Sequence, residues 1–456
     1  MPSEANPSNA MSDIATRLAS LSPEKRRILA LALQKQGAGR DTFPLSFGQQ
    51  RFWFLDRWSP GSAAYNSPVA LRLTGRLDAD ALARAISEIV RRHEARRTVF
   101  LDLEGKPVQT VQPAAPVPLP LDDLSALGGA EREAEARRRV DAETGTPFDF
   151  ARGPMLRARL LRLGAEEHVL VVVTHHVAFD GSVGIFFREL SALYGAFARG
   201  EASPLPDLPI QYADFAVWQR DRLRGELLEG QLAWWRERLD GAPAALQLPV
   251  ARPVPRVRSD RGEAFRFAWP AELSERARGL ARGEGATMFM TLLAAWDALL
   301  HRWSGETDLL VGTPIQARTR PETEGLIGCF TNTVVVRASA EGNPTFRELL
   351  RRVRDAALGA FAHGELPFEK LVDELHPERD PSQNPLFQVM FVVHPGTPAA
   401  ELRMGDVRVE PVPTDSGRSR LSILLGITDG EDGLSGSLEY STDLFDRAAV
   451  ERMVGH

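Results

Sequence analysis

The sequence predicts a mixed α/β protein built as two lobes, on three observations. The chain runs to 456 residues, well past the ~250–300 at which a single core stops growing. Amphipathic helical stretches and short β-branched runs alternate through both halves, the signature of layered α and β elements. Between the halves, GEASPLPDLP (200–209) sets three prolines where neither helix nor ladder can continue. The expected division is a linker helix over 1–40, an N-terminal lobe over 41–200 and a C-terminal lobe over 201–456.

The elements follow in order. Ser22, Pro23 and Gly37 punctuate a first helix, and Ser46 starts a second in SFGQQRFWFLDRW. Val69, Leu71 and Leu73 alternate as a strand, after which Asp78 caps a helix with Leu82, Ile86, Ile89 and Val90 on one face. Two hairpins come next, one turning at Glu104–Gly105, the other joining 155–163 to 168–174 across Gly164. The run HVLVVVT is apolar on both faces, so it belongs in the middle of a sheet. Ser182 then caps a helix to about Arg199. The second half reads as a strand near 264–269, helices over 271–283 and 287–302, and strands at 308–313 and 333–339. A helix over 346–361, a strand over 386–394, a terminal hairpin and a last helix from Arg447 complete it. The chain stops at His456 without a helix brake, which reads as a domain excised from something longer.

Composition narrows the function. The hydrophobic share is 43% and the charged share 25%, ordinary for a globular protein. With 55 basic and 61 acidic residues the net charge is −6, which excludes the basic excess of a nucleic-acid surface. Lys25, Lys35, Lys106 and Lys370 are the only lysines, a bias expected of a GC-rich genome. The lone Cys329 excludes a disulfide framework and points to a reducing compartment, the cytoplasm. The longest apolar run, Met288 to Leu300, is broken at Trp296–Asp297 and falls short of the ~18 residues of a membrane span. MPSEANPSNA lacks a basic stretch followed by an apolar core, so no signal peptide is expected.

The sharpest local pattern is THHVAFDG, 174–181. A histidine pair leaves a buried strand, and Asp180–Gly181 follows at the turn into a helix, where a rigid sheet aims side chains at open loop space. Adjacent histidines on an extended segment point to opposite sides, and no His-Glu-x-x-His spacing is present, so a metal centre is not the expectation. The alternative for such a pair is a core histidine beside a salt-bridged carboxylate.

This segment resembles the HHxxxDG motif of condensation domains from nonribosomal peptide synthetases. PLSFGQQRFWFL (44–55), RRHEARRTVF (91–100), YADFAVWQ (212–219), IGCFTNTVVVR (327–337), HGELPFEKLV (363–372) and RDPSQNPLFQVMF (379–391) are similar to further motifs of that family, in the family's order. GATMFMTLLAAW and LVGTPIQAR lie between them in the same style. The resemblance implies two chloramphenicol-acetyltransferase-like lobes in a V, with a tunnel between them. It implies peptide-bond formation between two thioesters held on the phosphopantetheine arms of an upstream donor and a downstream acceptor carrier protein. An adenylation domain would follow, and the chain itself would bind no cofactor, nucleic acid or membrane.

Carried over residue by residue, His176 is the catalytic histidine and His175 is structural. Asp180 holds the loop through Arg92 or Arg97, and Gly181 lends a backbone N–H to the developing oxyanion. Tyr212, Trp218, Asn332, Asn384 and Cys329 are read as packing or structural polar groups, and the arginine clusters ARRRVD and RRVRD as solvated helix faces. LGGAER lacks the serine that carries phosphopantetheine. Departures from the family pattern are Gly181 running directly into Ser182, Gly48 for Ala, Arg96 for Leu, and Gly364–Glu365 for Gln-Asp. SFGQQRFWFLDRW and AYNSPVALRL lean toward the subtype joining two L-residues. The rivals are a starter-type or free-standing acyltransferase and a scaffold that only docks carrier proteins.

Overall fold

A computed structural model describes residues 42–255, 259–375, 384–396, 403–414, 417–430 and 433–456. The helix expected around Ser22 lies outside them. In the first half, β1 (Thr42–Pro44) leads into α1 (Phe47–Trp58), where Ser46 and Gln49 form a reciprocal capping box. β2 (Asn66–Thr74) precedes α2 (Ala79–Arg92), capped by the Asp78 carboxylate accepting from the Ala81 amide at 2.9 Å. β3 (Thr98–Leu103) and β4 (Lys106–Val111) form the expected hairpin. Its two turn residues, Glu104 and Gly105, both take left-handed backbone, φ 54° and 80°, as a two-residue turn between twisted strands requires. Then come β5 (Leu121–Asp123), α3 (Gly129–Gly145), β6 (Leu156–Gly164), β7 (Glu167–His175) and α4 (Val183–Ala198).

β7 pairs with β2 on one side and β6 on the other, in the middle of a six-stranded sheet. Its side chains alternate between two cores. Val169, Val171 and Val173 face Ala136 and Val140 of α3 together with Phe148 and Phe150. Leu170 and Val172 face Leu82, Ile86 and Ile89 of α2 and Leu190 and Leu193 of α4. Each such side chain fully buried contributes about 1.5–3 kcal/mol, so the strand that ends at His175 is fixed from both faces.

The second half holds α5 (Tyr212–Arg222), α6 (Gly225–Leu239), β8 (Gly262–Ala268), α7 (Ala271–Gly283), α8 (Met288–Ser304), β9 (Asp308–Gln316) and α9 (Pro321–Glu324). It continues with β10 (Thr331–Ser339), α10 (Phe346–Ala362), α11 (Phe368–Leu375), β11 (Val389–Pro395), β12 (Arg403–Met404), β13 (Val407–Val412), β14 (Ile423–Gly430), β15 (Gly433–Ser441) and α12 (Arg447–Gly455). The order β10-β9-β11-β14-β15-β8 makes a second six-stranded sheet. Its β11 runs parallel to both neighbours and the other pairings are antiparallel. α8 and α10 bury Leu293, Leu300, Leu350 and Val353 against this sheet.

The halves interlock. β13 pairs with β2, so β12 and β13 finish the first sheet from the far end of the chain. Tyr212 and Phe215 of α5, with Leu326, Cys329 and Phe330, pack into the core beside Phe150 and Val171. Residues after 200 are therefore not confined to one lobe, as a simple division there would have them. α5 and α6 form helices the pattern did not announce, because their buried residues, such as Leu232, Trp235 and Leu239 in α6, are sparse among charged ones.

Candidate active site at the end of the central strand

β7 delivers His175 as its last residue, and a single 3₁₀ turn over His176–Ala178 carries the chain into the Phe179–Ser182 loop. His175 sits in a box of aromatic rings: Phe150, Phe52, Phe148 and Tyr65 have centroids 4.8, 5.8, 6.0 and 6.3 Å away. Its Nδ1 accepts the Val177 amide hydrogen at 3.0 Å, which fixes the tautomer with the proton on Nε2. Burial, then the charges of Arg420 and Arg157, pushes its pKa down to about 3. His175 is thus neutral and bonded to the turn that follows it.

His176 turns the other way. Its amide donates to the Tyr65 carbonyl at 3.0 Å and its ring stacks on Phe52, 6.0 Å between centroids and 14° between planes. Nε2 stands 3.5 Å from Nη2 of Arg420. A guanidinium only donates, so His176 Nε2 faces it as a lone pair. The ring is half-buried, and desolvation, followed by Arg420, His175 and Arg51, holds its pKa well below the ordinary 6.5. Arg420 lies over the Tyr65 ring at 4.5 Å. It also lines a cavity of about 540 Å³ together with Phe52, Trp58, Tyr65, His175 and Asn384. His176 is not itself part of that lining; Phe52 and Arg420, which are, touch the imidazole.

Asp180 is a structural hub. Its Oδ1 accepts from the Ser182 amide at 3.1 Å, the Ser182 hydroxyl at 2.5 Å and Arg318 Nη2 at 3.3 Å. Its Oδ2 accepts from the Phe330 amide at 2.7 Å and the Thr331 hydroxyl at 3.3 Å. The ion-pair mate is therefore Arg318, not Arg92 or Arg97. Arg92 ends α2 and turns toward α4, pairing with Glu189 at 3.3 Å and donating to the Pro206 carbonyl at 2.7 Å. Arg97 lies in the turn before β3 and holds Glu94 and the Gln112 carbonyl. Ser182 occupies the helix N-cap position, yet its hydroxyl goes to Asp180 and makes no cap bond, which corrects the expected role.

Gly181 stands where a Cβ would lie 2.4 Å from Nε2 of Gln316. Gln316 is exposed, and the end of its side chain can swing aside, so the contact does not by itself demand glycine. Tyr212 is buried and donates its hydroxyl to the Cys329 carbonyl at 2.6 Å, and Ser46 Oγ lies 2.8 Å away. Asn332 donates to the Gly364 and Leu366 carbonyls and accepts from the Phe368 amide, tying β10 to the approach of α11. Among the described residues no cluster of three or more His, Cys, Asp or Glu side chains is placed to hold a metal ion. Sequence reasoning missed Arg420, Arg318 and Gln316. The last two close the LVGTPIQAR segment, the only signal available; Arg420 lies in a stretch without a motif.

The condensation-domain family model matches residues 39–456. The chain belongs to that family. It is 47% identical over 416 residues to a component of the linear gramicidin synthase of Brevibacillus parabrevis, covering 91% of this chain and 5% of that protein. It is 43% identical over 458 residues to phosphinothricin tripeptide synthetase PhsC of Streptomyces viridochromogenes, covering 97% of this chain and 42% of the relative. The chain thus spans a minor part of each relative's length. Among solved structures, the X-domain of teicoplanin biosynthesis in complex with OxyB superposes with a TM-score of 0.81 at 32% identity, over 91% of each chain. The first condensation domain of the CDA synthetase has the same fold, TM-score 0.78, over 91% of this chain and 95% of that one at 23% identity. The two-lobed α/β architecture expected from the sequence is the architecture of condensation domains. Condensation domains are acyltransferases that form amide bonds in nonribosomal peptide synthesis, and this chain is such an acyltransferase. Among the described residues no helix is long and apolar enough to cross a membrane.

Proposed function

We propose that this condensation domain joins a donor acyl or peptidyl thioester to the α-amine of an acceptor aminoacyl thioester. Both substrates arrive on the phosphopantetheine arms of carrier proteins, upstream for the donor and downstream for the acceptor, in the cytoplasm and next to an adenylation domain. The observation that carries this reading is the neutral His176, whose Nε2 lone pair faces Arg420 at the edge of the 540 Å³ cavity.

The step balances without an added reagent. The neutral amine attacks the donor carbonyl carbon, forming the C–N bond and a tetrahedral oxyanion. A proton of the resulting ammonium passes to His176 Nε2 as Arg420 turns aside. The C–S bond then breaks, the carbonyl re-forms, and the leaving thiolate takes the proton from the imidazolium. An α-amine titrates near ~7.7, so much of the acceptor is already neutral and a weak base suffices. Such proton transfer contributes ~10²–10⁴-fold, and holding two tethered substrates together contributes as much again or more. Asp180 and Gly181 shape the loop that presents His176. The opening segment SFGQQRFWFLDRW supports the subtype joining two L-residues.

Intact-mass detection of donor transfer to a carrier-bound acceptor, against the free amino acid at millimolar concentration, is the test, with His176→Ala as the blank. Efficient transfer to the carrier-bound amine alone supports the reading. Equal rates with free amine, or transfer to an alcohol, would make the chain a starter-type acyltransferase. Carrier binding without transfer would make it a docking scaffold, in line with its likeness to an X-domain solved together with OxyB.

A further inference from the structure

Among the described residues, the charged groups lining the cavity of about 540 Å³ are Asp56, Asp260, Arg418 and Arg420. Arg418 pairs with Asp260. Arg420 meets no carboxylate among the described residues; its polar contact is His176 Nε2 at 3.5 Å, beyond the ~2.7–3.2 Å of a good N–H hydrogen bond. A guanidinium carries five N–H donors, and this contact engages one of them loosely. The rest face a cavity beside the base.

One residue positions both partners. Tyr65 accepts the His176 amide hydrogen on its carbonyl at 3.0 Å and supports the Arg420 guanidinium on its ring at 4.5 Å. The backbone around Arg420 is fixed on both sides: the Ser419 amide donates to the Asp260 carbonyl at 2.9 Å and the Ser422 amide to the Gln388 carbonyl at 3.1 Å. Hydrogen-bond donors placed in advance beside developing charge are the condition for electrostatic catalysis. The Gly181 amide, expected from the sequence to fill that role, belongs to a loop of which no residue from Val177 to Ser182 lines the cavity.

The spacing suits a tetrahedral species. Its amine nitrogen and its oxyanion share one carbon and stand about 2.4 Å apart by ordinary bond lengths and angles. A guanidinium 3.5 Å from Nε2 can therefore reach the oxygen while the imidazole takes the proton from the nitrogen. Turning off Nε2 and onto the oxyanion is one short movement of an exposed side chain, with both halves of the chain in place.

We propose that Arg420 is a further catalytic residue, donating a hydrogen bond to the oxyanion formed on the thioester carbonyl while His176 takes the amine proton. The guanidinium stays protonated throughout. It engages the oxygen as the C–N bond forms and releases it as the C–S bond breaks and the carbonyl returns. The inference rests on the amide-forming reaction proposed above.

Arg420→Met keeps the stem over Tyr65 and removes the donors; Arg420→Lys restores the charge. Transfer to a carrier-bound acceptor is measured at pH ~8.5, where even an unperturbed histidine, titrating near ~6.5, is neutral. Changes in His176 proton affinity then drop out of the comparison. Turnover of Arg420→Met should fall by ~10²–10³-fold, the cost of removing one oxyanion donor. The loss should lie in kcat with the acceptor KM unchanged, and be equal for a neutral and an acidic acceptor. Arg420→Lys should regain part of it. Millimolar guanidinium ion should raise the turnover of Arg420→Ala and leave that of His176→Ala where it is, which a merely structural role would not produce. Melting within ~2 °C of the parent is expected for an exposed position, and Arg420→Gln takes the place of Met where folding suffers. Parent-like turnover at this pH overturns the role. So does a loss confined to KM or to the acidic acceptor, which would make Arg420 a reader of the substrate side chain. A parent that makes no amide overturns reaction and role together, whereas an active parent with unaffected variants overturns the role alone.

Discussion

Replacing Asp180 with alanine separates a structural carboxylate from a catalytic one. The side chain is buried and accepts from five donors, two of them on Ser182 and three from the second half of the chain. Its loss leaves the Phe330 and Ser182 amides without their acceptor, at about 1–3 kcal/mol for a buried unsatisfied donor. It also leaves the Arg318 guanidinium, largely buried, without its counter-ion. Breaking a buried pair from one side costs about 3–5 kcal/mol in total. For a domain of 150–250 residues each kcal/mol moves Tm by about 2–4 °C, so the expected fall is on the order of 6–20 °C. Asp180→Asn keeps the shape and one acceptor oxygen and should fall about half as far. Differential scanning fluorimetry and the carrier-bound transfer assay, run on the same preparations, read both effects. Melting within ~2 °C of the parent with turnover gone would refute the hub assignment and give Asp180 a direct chemical role.

His176→Ala should leave Tm within ~2 °C of the parent and reduce transfer by at least ~10²-fold; a folded variant with normal product yield would remove His176 from the chemistry. Arg420→Ala removes the largest charge effect that lowers His176 proton affinity, so its pKa rises toward 6.5. Because His176 works when neutral, the acid limb of the kcat profile should move to higher pH, and an unmoved limb would sink the assignment. Gly181→Val puts a branched side chain against the exposed end of Gln316, which can swing aside, so Tm should stay within ~2 °C of the parent, as for a surface substitution; a larger fall would show that the loop needs glycine there. Asp297 is fully buried in α8, its Oδ1 has no partner among the described residues, and burial raises its pKa well above 3.8. The native state therefore binds a proton the unfolded chain has released, and stability falls as pH rises above ~4. Asp297→Asn should flatten that part of the Tm–pH curve, and a slope unchanged by the substitution would show that Asp297 is not its source.

The elements that carry local punctuation were legible. Asp78 and Ser46 fix helix starts through their own side chains, and the two-faced apolar run of β7 placed that strand in mid-sheet. The Gln211–Asp214 capping box of α5 was equally local and went unread, because the helix behind it lacks an apolar stripe. The pairing of Asp180 was not legible for a different reason. Its local donors come from Ser182 alone, and the rest of its shell is supplied from 138 to 151 residues away. A sequence rich in arginine offers many candidate mates, and the nearest motif, RRHEARRTVF, supplied the wrong ones. The same distance hid β13, whose pairing with β2 joins residues 408–412 to 70–74.

These long-range contacts share one direction: they run from the second half of the chain onto the strand ends and the loop of the first. Gln316 presses on Gly181, Arg318 and Phe330 hold Asp180, Ile327 donates to buried His93, and Arg420 meets His176. The histidines come from the first sheet and are packed among first-half aromatics, and the second half adds Arg420, the largest charge lowering the pKa of both. His176 is neutral partly because Arg420 is there, and the loop is ordered partly because Arg318 is. A site assembled this way responds as a unit to any movement between the halves. A cut at the proline-rich segment near 200 therefore should not yield an N-terminal fragment with native histidines, even though it contains every residue from Thr174 to Gly181. The fragment would lack β12 and β13, the counter-ion of Asp180 and the guanidinium beside His176. Expressed alone, residues 41–200 should expose β2 as a sheet edge and associate or aggregate. Adding residues 201–456 in trans should recover transfer only where the two pieces copurify. A soluble, monomeric 41–200 fragment with a protected 174–182 loop would show that the first lobe organises the histidines by itself and would break this account of the site.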